Sequence, residues 1–158
     1  MSVFLYLLFN SDNYIFMKKN IILAALFISC FGAVCQTNSL KNGTYEGRSS
    51  SIYGNEPYKG VTIITIKNGK IHQVTFNILD TLKNELFDKN YSSHFPTEPL
   101  YQKQCIEDWK GVLLYPVQLL KRQDLRSVDA VTGATWSHNL FVSSAKIALT
   151  KAGLTNTK

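Results

Sequence analysis

The sequence predicts an α+β domain in which a small antiparallel β-sheet packs against helices. Two β-rich runs, residues 61–67 and 70–78, flank Asn68-Gly69, and an apolar stripe of helical period runs through residues 137–152. Asn-Gly supplies the positive φ angles of a two-residue hairpin turn, and apolar spacings of three and four residues are typical of a helix packed on a core. The 158 residues, 45% hydrophobic and 18% charged, suffice for one globular domain.

The N-terminal residues have the layout of an export signal. A positive start at residues 17–19 precedes an almost wholly apolar run, Ile21 to Ala33, and polar sequence begins at Gln36. This is the order of regions in a secretory signal peptide, and the apolar run is short for a bilayer span. We expect residues 17–35 to be a signal peptide or membrane anchor. Residues 1–16 are then an upstream extension from a start codon assigned too early, and residues 36–158 form the mature domain.

Cysteine content and charge argue against a disulfide-bonded domain and against a nucleic-acid-binding protein. Cys30 and Cys35 lie in the predicted signal, so Cys105 alone stays in the mature domain and no intrachain disulfide is possible. Lipidation of one signal cysteine is an open alternative, whereas Cys105 is expected to be a small buried apolar residue. The mature domain carries a net charge of +5 after Lys18, Lys19 and Asp12 are removed from the totals of 17 basic and 11 acidic residues. These scattered charges predict a solvated surface and no nucleic-acid partner.

A first strand is predicted at Gly43 to Arg48, followed by a loop over residues 49–57. In the hairpin, counting outward from the turn sets Lys67 opposite Lys70 and gives one apolar face toward the core. That face holds Val61, Ile63, Val74, Phe76 and Ile78. His72 is expected opposite Thr65 as a half-exposed sheet residue, and neither it nor His94 has partners at metal-ligand spacing, so no metal site is predicted.

The sequence signals for helices differ in strength from one segment to the next. Thr81 to Phe87 is compatible with a short helix, and Pro99 suits the first turn of a helix running to Trp109. Gly111 is expected to break that helix, and Pro116 to begin another over residues 117–123. Ser137 to Ala152 is the clearest helix, with an inward stripe of Phe141, Ala145, Ala148 and Ala152.

The run Asp129 to Ser137, D-A-V-T-G-A-T-W-S, lies directly before this last helix. It has two interpretations. In the first, Thr135 or Ser137 caps the helix by accepting a backbone N–H and Gly133 permits the turn. In the second, an accessible threonine hydroxyl accepts a phosphoryl group, and the helix N-terminus, with its unpaired amides and positive dipole end, holds the phosphate.

The same residues resemble the FMN-binding domain family, which includes the flavin-carrying subunits of bacterial Na+-pumping NADH:quinone reductase and related electron-transport complexes. The family hallmark is Asp, two residues, Ser or Thr, Gly, Ala and Thr before a C-terminal helix, and residues 129–135 match it. Residues 42–47, Asn-Gly-Thr-Tyr-Glu-Gly, resemble the family's start, and the hairpin over residues 61–71 resembles the strands that follow. The resemblance covers residues 40–153.

This resemblance implies a role for each residue of the motif. Thr135 carries FMN through a phosphoester bond that a separate flavin transferase forms. Asp129, Thr132, Gly133 and Ala134 form the transferase recognition segment and the phosphate cradle.

Trp136 and Ser137 complete the implied cofactor-binding set. Trp136 either packs on the isoalloxazine ring or anchors the helix in the core. Lys121, Arg122 and Arg126 precede the motif and are candidates to neutralise phosphate. The chain departs from the family in lacking a Glu-Thr-Pro-Gly-type stretch after the hairpin, so the ring contacts are not carried over.

The expected function is electron transfer by an exported domain, in the periplasm or on the outer face of a bacterial membrane, through covalently held FMN. Its partners are then a flavin transferase and membrane or periplasmic redox proteins. The chain has no G-x-G-x-x-G and no C-x-x-C-H, which favours an electron carrier over a complete oxidoreductase. Two alternatives stay open: a flavin-dependent reductase of a small acceptor, and an exported binding module without flavin.

Overall fold

In the computed structural model, which describes residues 39–50 and 55–154, a four-stranded antiparallel sheet is covered on one face by two helices. The strands are β1 (Gly43–Arg48), β2 (Tyr58–Lys67), β3 (Lys70–Asp80) and β4 (Glu85–Leu86), adjacent in sequence order. The helices are α1 (Pro99–Arg122) and α2 (Thr135–Lys151), with short 3₁₀ helices at Tyr91–His94 and Leu125–Ser127. The expected α+β class is confirmed. The predictions for residues 1–35 lie outside the described residues.

The hairpin turn is confirmed, but the predicted core face of β2 is wrong. Asn68 and Gly69 have φ of 52° and 71°, as a type I′ turn requires. A register shift follows at Thr65/Ile66, so that Thr65 pairs with Gln73 and His72 is the extra, exposed residue of a β-bulge instead of Thr65's partner. Because one extra residue reverses the faces, Thr62, Ile64 and Ile66 point into the core in place of Val61 and Ile63.

Helix α2 lies unusually close to the first two strands. A Cβ added at Gly47 would come within 2.0 Å of the Ser144 carbonyl oxygen, and one at Gly60 within 2.7 Å of the Leu140 carbonyl oxygen. The Thr62 hydroxyl contacts the Ser144 hydroxyl at 2.6 Å, and both side chains are fully buried. These small residues explain which face of β2 is the inner one, since only that face lets the helix backbone approach.

The segment after the hairpin is not helical, contrary to the prediction for Thr81 to Phe87. The buried Asp80 carboxylate accepts the backbone N–H groups of Leu82 and Lys83, at 2.9 and 3.1 Å, and so stabilises a turn. The chain then reverses into β4, where Leu86 pairs with Leu79 of β3. A side chain that offers hydrogen bonds to nearby backbone amides favours a turn over a helix.

Helix α1 is continuous over 24 residues, so the predicted break at Gly111 and the separate helix from Pro116 are wrong. Gly111 is buried, and a Cβ there would lie 2.6 Å from the Tyr115 ring and 2.8 Å from the Ser137 hydroxyl. Its function is close approach between helices. Burial of Val112, Tyr115 and Leu119 holds the helix together around Pro116, so tertiary packing outweighs the local cost of proline.

The last helix is confirmed within two residues of its predicted start. Its inward residues Phe141, Ala145, Ala148 and Ala152 are all fully buried, as the spacing predicted. Gly153, with φ of 97°, follows its end. Among the described residues, no helix is both long and apolar enough to cross a membrane.

Candidate functional site

The Asp129–Ser137 motif forms the turn that leads into α2. Gly133 adopts φ of 79°, a left-handed conformation that favours glycine, and its backbone turns the chain outward so that Thr132 and Gly133 are exposed. Thr135 is the first residue of α2 and is also exposed, whereas Ala134 beside it is fully buried. Thr135 therefore lies at the surface, at the first position of a helix.

The expected cap from Thr135 or Ser137 is not formed. Ala134 occupies the N-cap position without a side-chain hydrogen bond, and the Ser137 hydroxyl donates to the Ala134 carbonyl at 3.1 Å. The cap comes from α1 instead, because Oδ1 of the buried Asp108 accepts the Ser137 N–H at 3.1 Å. A carboxylate at this end of a helix is stabilised by the dipole and by the unpaired amides. Within the described residues, the amides of Thr135 and Trp136 make no hydrogen bond.

Two further side chains of α1 fix the path of the motif. Gln104 Nε2 donates to Asp108 Oδ2 and to the Gly133 carbonyl, both at 2.7 Å. The buried Tyr115 hydroxyl donates to the Ala134 carbonyl at 2.8 Å. Side chains of α1 thus hold both the Gly133 turn and the first turn of α2. The bonds made by Asp108 and Tyr115 are buried, and those made by Gln104 lie at the surface beside the exposed Thr135.

The start of the motif is tied to the end of α1. Arg122 Nη1 lies 2.6 Å from Asp129 Oδ2, and Gln118 Oε1 accepts the Asp129 N–H at 2.9 Å. Arg126 pairs with Asp124 at 3.1 Å, so two of the three basic residues expected near the phosphate already have acidic partners.

A different cation, Lys110, is paired with a carboxylate whose side chain lies beside the Gly133 turn. Its Nζ contacts Glu107 at 2.9 Å, and a Cβ built on Gly133 would lie 3.4 Å from Glu107 Cγ. Lys110 therefore reaches the neighbourhood of the motif through the same turn of α1 that supplies Asp108. Sequence reasoning missed it because residues 107–110 are distant from the motif along the chain.

An aromatic pocket opens beside the helix start. It has a volume of about 270 Å³ and is lined by Glu56, Tyr58, Phe87, Tyr91, Phe95, Tyr101, Gln104, Cys105, Asp108 and Trp136. Trp136 joins the pocket to the motif, since it follows Thr135 directly and packs edge-on against Tyr58 with ring centroids 5.1 Å apart. Its indole N–H donates to Glu56 at 3.0 Å, which fixes the ring plane.

One wall of the pocket is a chain of hydrogen-bonded oxygens. The Tyr91 hydroxyl donates to the buried Asp80 carboxylate at 2.6 Å and contacts the Tyr58 hydroxyl at 3.0 Å. Burial raises the pKa of Tyr91, and its bonds to Asp80 and Tyr58 raise it further. Burial also raises the pKa of Tyr58 and outweighs the opposing effect of its bond to Tyr91. Both phenols are protonated at neutral pH, so Tyr58 donates to Tyr91 and presents only lone pairs to a ligand.

Asp80 stays ionised at the base of this chain. Burial opposes its charge, but the hydrogen bonds from Tyr91 and from the backbone of Lys83 and Leu82 prevail and lower its pKa. Cys105, in the pocket wall, behaves in the opposite way, because burial and the neighbouring Asp108 raise the pKa of its thiol. It is buried, as predicted, and is a neutral apolar contact at physiological pH.

The pocket could not be read from the sequence. Its aromatic residues come from β2, the segment after β4, the first 3₁₀ helix and the residue that follows it, α1 and α2, which only the fold brings together. The one available signal was the aromatic content of 12%. The i, i+4 pair Gln104 and Asp108 would indicate a shared helix face, but its contact with the motif depends on how α1 packs on α2.

The chain matches no family model and no curated protein. Its fold is similar to the crystal structure of CPE2226 protein from Clostridium perfringens, with a TM-score of 0.58 and 24% sequence identity over 75% of this chain and 93% of that chain. At this identity the similarity establishes the α+β fold alone.

Proposed function

We propose that the domain carries FMN, esterified through its phosphate to Thr135, and that it transfers electrons as an exported carrier. The observation that carries the proposal is the position of an exposed threonine hydroxyl next to an aromatic pocket. Thr135 begins α2 at the surface, and the adjacent Trp136 lines the pocket. A flavin linked at residue 135 has a short path from its phosphate to an aromatic site for its ring.

The size of the pocket supports an arrangement in which the flavin ring lies inside it and the rest of FMN lies at the surface. Small-molecule sites usually have about 300–1,000 Å³, so 270 Å³ suits the flat ring system and leaves the ribityl chain and phosphate outside. Trp136, Tyr58 and Phe87 offer the aromatic faces and edges that a planar heterocycle prefers. Tyr58, whose hydroxyl accepts, suits a ring N–H donor.

The surroundings of Thr135 define how the phosphate is held. Asp108 already accepts the Ser137 N–H, so the amides of Thr135 and Trp136 are left to hold the phosphate; Lys110 joins them only by leaving its ion pair with Glu107. In this arrangement Thr132, Gly133 and Ala134 give the transferase an exposed turn, Asp129 fixes where that turn begins, and Ser137 anchors the helix start from inside. Bound FMN supplies transfer of one or two electrons.

The test is flavin attachment. The chain is produced with a flavin transferase and examined by intact mass and by in-gel flavin fluorescence, beside Thr135→Ala. We expect the mass of FMN minus water on the parent and an unmodified mass on Thr135→Ala. Thr132→Ala is the matched control, since it removes a second exposed threonine of the same turn. It should lower the yield without abolishing it.

The negative results are equally informative. An unmodified parent, made where the transferase modifies another acceptor, would refute covalent attachment. If the parent stays unmodified but retains FMN on gel filtration, the aromatic pocket binds flavin without the ester. A modified Thr135→Ala protein would place the ester on another residue.

A further inference from the structure

Helix α1 exposes an apolar stripe on the side that faces away from the sheet. Ile106, Leu113, Val117 and Leu120 are 48, 55, 60 and 40% exposed. Their spacings of seven, four and three residues place them in one row along the helix. The residues that directly precede three of them, Cys105, Val112 and Leu119, are buried on the inner side. The row extends over about 21 Å at 1.5 Å per residue. Contiguous exposed apolar surface of this kind marks a site of interaction.

Lysines border this α1 stripe. Lys103, Lys110 and Lys121 lie three residues before Ile106, four after it and one after Leu120, and all three are exposed. Of the acidic residues of the helix, Glu107 balances Lys110 and Asp108 is buried under α2. Lys103 and Lys121 form no ion pair among the described residues, so the stripe presents apolar side chains with a positive charge near each end.

We propose that the α1 stripe docks on an anionic lipid bilayer. Helices that lie in the membrane interface combine an apolar face with Lys or Arg beside it, and anionic lipids attract such cations. A second copy of the chain is a poorer occupant, because it brings the same lysines and its Glu107 is already paired. A bilayer surface supplies both the apolar layer and the negative charge. This proposal does not depend on flavin attachment.

The test measures how accessible each lysine is. The full chain is mixed with vesicles of phosphatidylcholine alone or of equimolar phosphatidylcholine and phosphatidylglycerol, then acetylated with limiting reagent and analysed by peptide mass spectrometry. We expect acetylation of Lys103, Lys110 and Lys121 to be about fivefold slower with the anionic vesicles. Lys59, on the face of the sheet away from the helices, and Lys89, in the segment after β4, are exposed; they serve as internal controls and should react alike in both samples. Because Lys18 and Lys19 are also attracted by anionic lipid, the variants described next, which keep the N-terminal residues unchanged, separate their effect from that of the stripe.

Two variants separate the stripe from general charge attraction. The double variant Leu113→Gln/Val117→Gln should lose the protection and keep the melting temperature, since both side chains are exposed. Leu82→Gln makes the same change at a leucine that is 83% exposed in the turn after β3, and it should retain the protection. Equal acetylation in the two vesicle types, or protection that persists in the double variant, would overturn the proposal. Protection that rises with protein concentration without vesicles would assign the stripe to a second copy instead.

Discussion

Removing the Asp108 carboxylate should destabilise the domain more than any other single loss of a charge on α1. Asp108 is 2% exposed, and it accepts the Ser137 N–H at 3.1 Å and the Gln104 side-chain amide at 2.7 Å. Asp108→Ala leaves both donors without this acceptor inside the protein. A buried donor left unsatisfied costs about 1–3 kcal/mol, and a carboxylate at a partly buried helix N-terminus contributes up to about 2 kcal/mol.

These terms overlap, and we expect a loss of about 2–3 kcal/mol in the free energy of unfolding. For a domain of this size that corresponds to a fall of about 10 °C in melting temperature. Asp108→Asn retains one acceptor for the Ser137 amide but loses the charge, so we expect about half the effect. Urea denaturation and calorimetry measure both variants, and hydrogen exchange should show faster exchange of the Ser137 amide.

Glu107→Ala is the matched control for Asp108→Ala. It removes the adjacent carboxylate, whose partner Lys110 lies in an exposed ion pair, and exposed pairs contribute roughly 0.2–1 kcal/mol. If Asp108→Ala costs no more than Glu107→Ala, or leaves the Ser137 amide protected, then the carboxylate does not cap α2.

Three further predictions follow from the geometry. The pKa of Asp80 is below its ordinary value of 3.8, so the contribution of this carboxylate to stability is present above pH 3.8 and declines below it. The stability difference between the parent and Asp80→Asn, measured from urea midpoints, should therefore shrink from pH 6 to pH 2.5. A constant difference would contradict the lowered pKa. Gly47→Ala places a Cβ 2.0 Å from the Ser144 carbonyl and should cost about 3 kcal/mol; unchanged urea stability would show that α2 moves away freely. In flavin-loaded protein, Trp136→Leu should increase flavin emission by removing an aromatic quencher, whereas Trp109→Leu should not; equal emission would place the ring elsewhere.

The sequence predicted those parts of the fold that local chemistry decides. Asn68-Gly69 determined the hairpin turn, and the spacing of Phe141, Ala145 and Ala148 determined the inward face of α2. The register did not follow, because both faces of β2 carry apolar residues and period-two alternation could not choose between them. The choice depends on Gly60 and Thr62, which admit the α2 backbone, and that requirement is a tertiary one.

Helix α1 illustrates how tertiary packing overrides a local rule. Gly111 and Pro116 are residues that usually end helices, and the sequence therefore divided this helix in two. In the fold, Gly111 gives Tyr115 and Ser137 the space they occupy, and continuity past Pro116 keeps Leu119 in the core. Because the sequence did not predict one continuous helix, it did not predict the exposed stripe either. The seven-residue repeat of the stripe is visible only when residues 106–120 are placed on one helix.

In the candidate site, too, one part follows from the local sequence and another part depends on tertiary packing. Residues 129–135 are contiguous, so Thr135 could be proposed as the acceptor from the chain alone, and in the structure this residue is exposed at a helix start. The aromatic pocket is assembled from separate segments of the chain, and the cap is a carboxylate 29 residues away in sequence. A chain that kept the motif but lost Asp108 or the aromatic wall would still match the hallmark. Under the proposed function, attachment of flavin and enclosure of its ring are therefore separable properties, which the Thr135 and Trp136 variants measure independently.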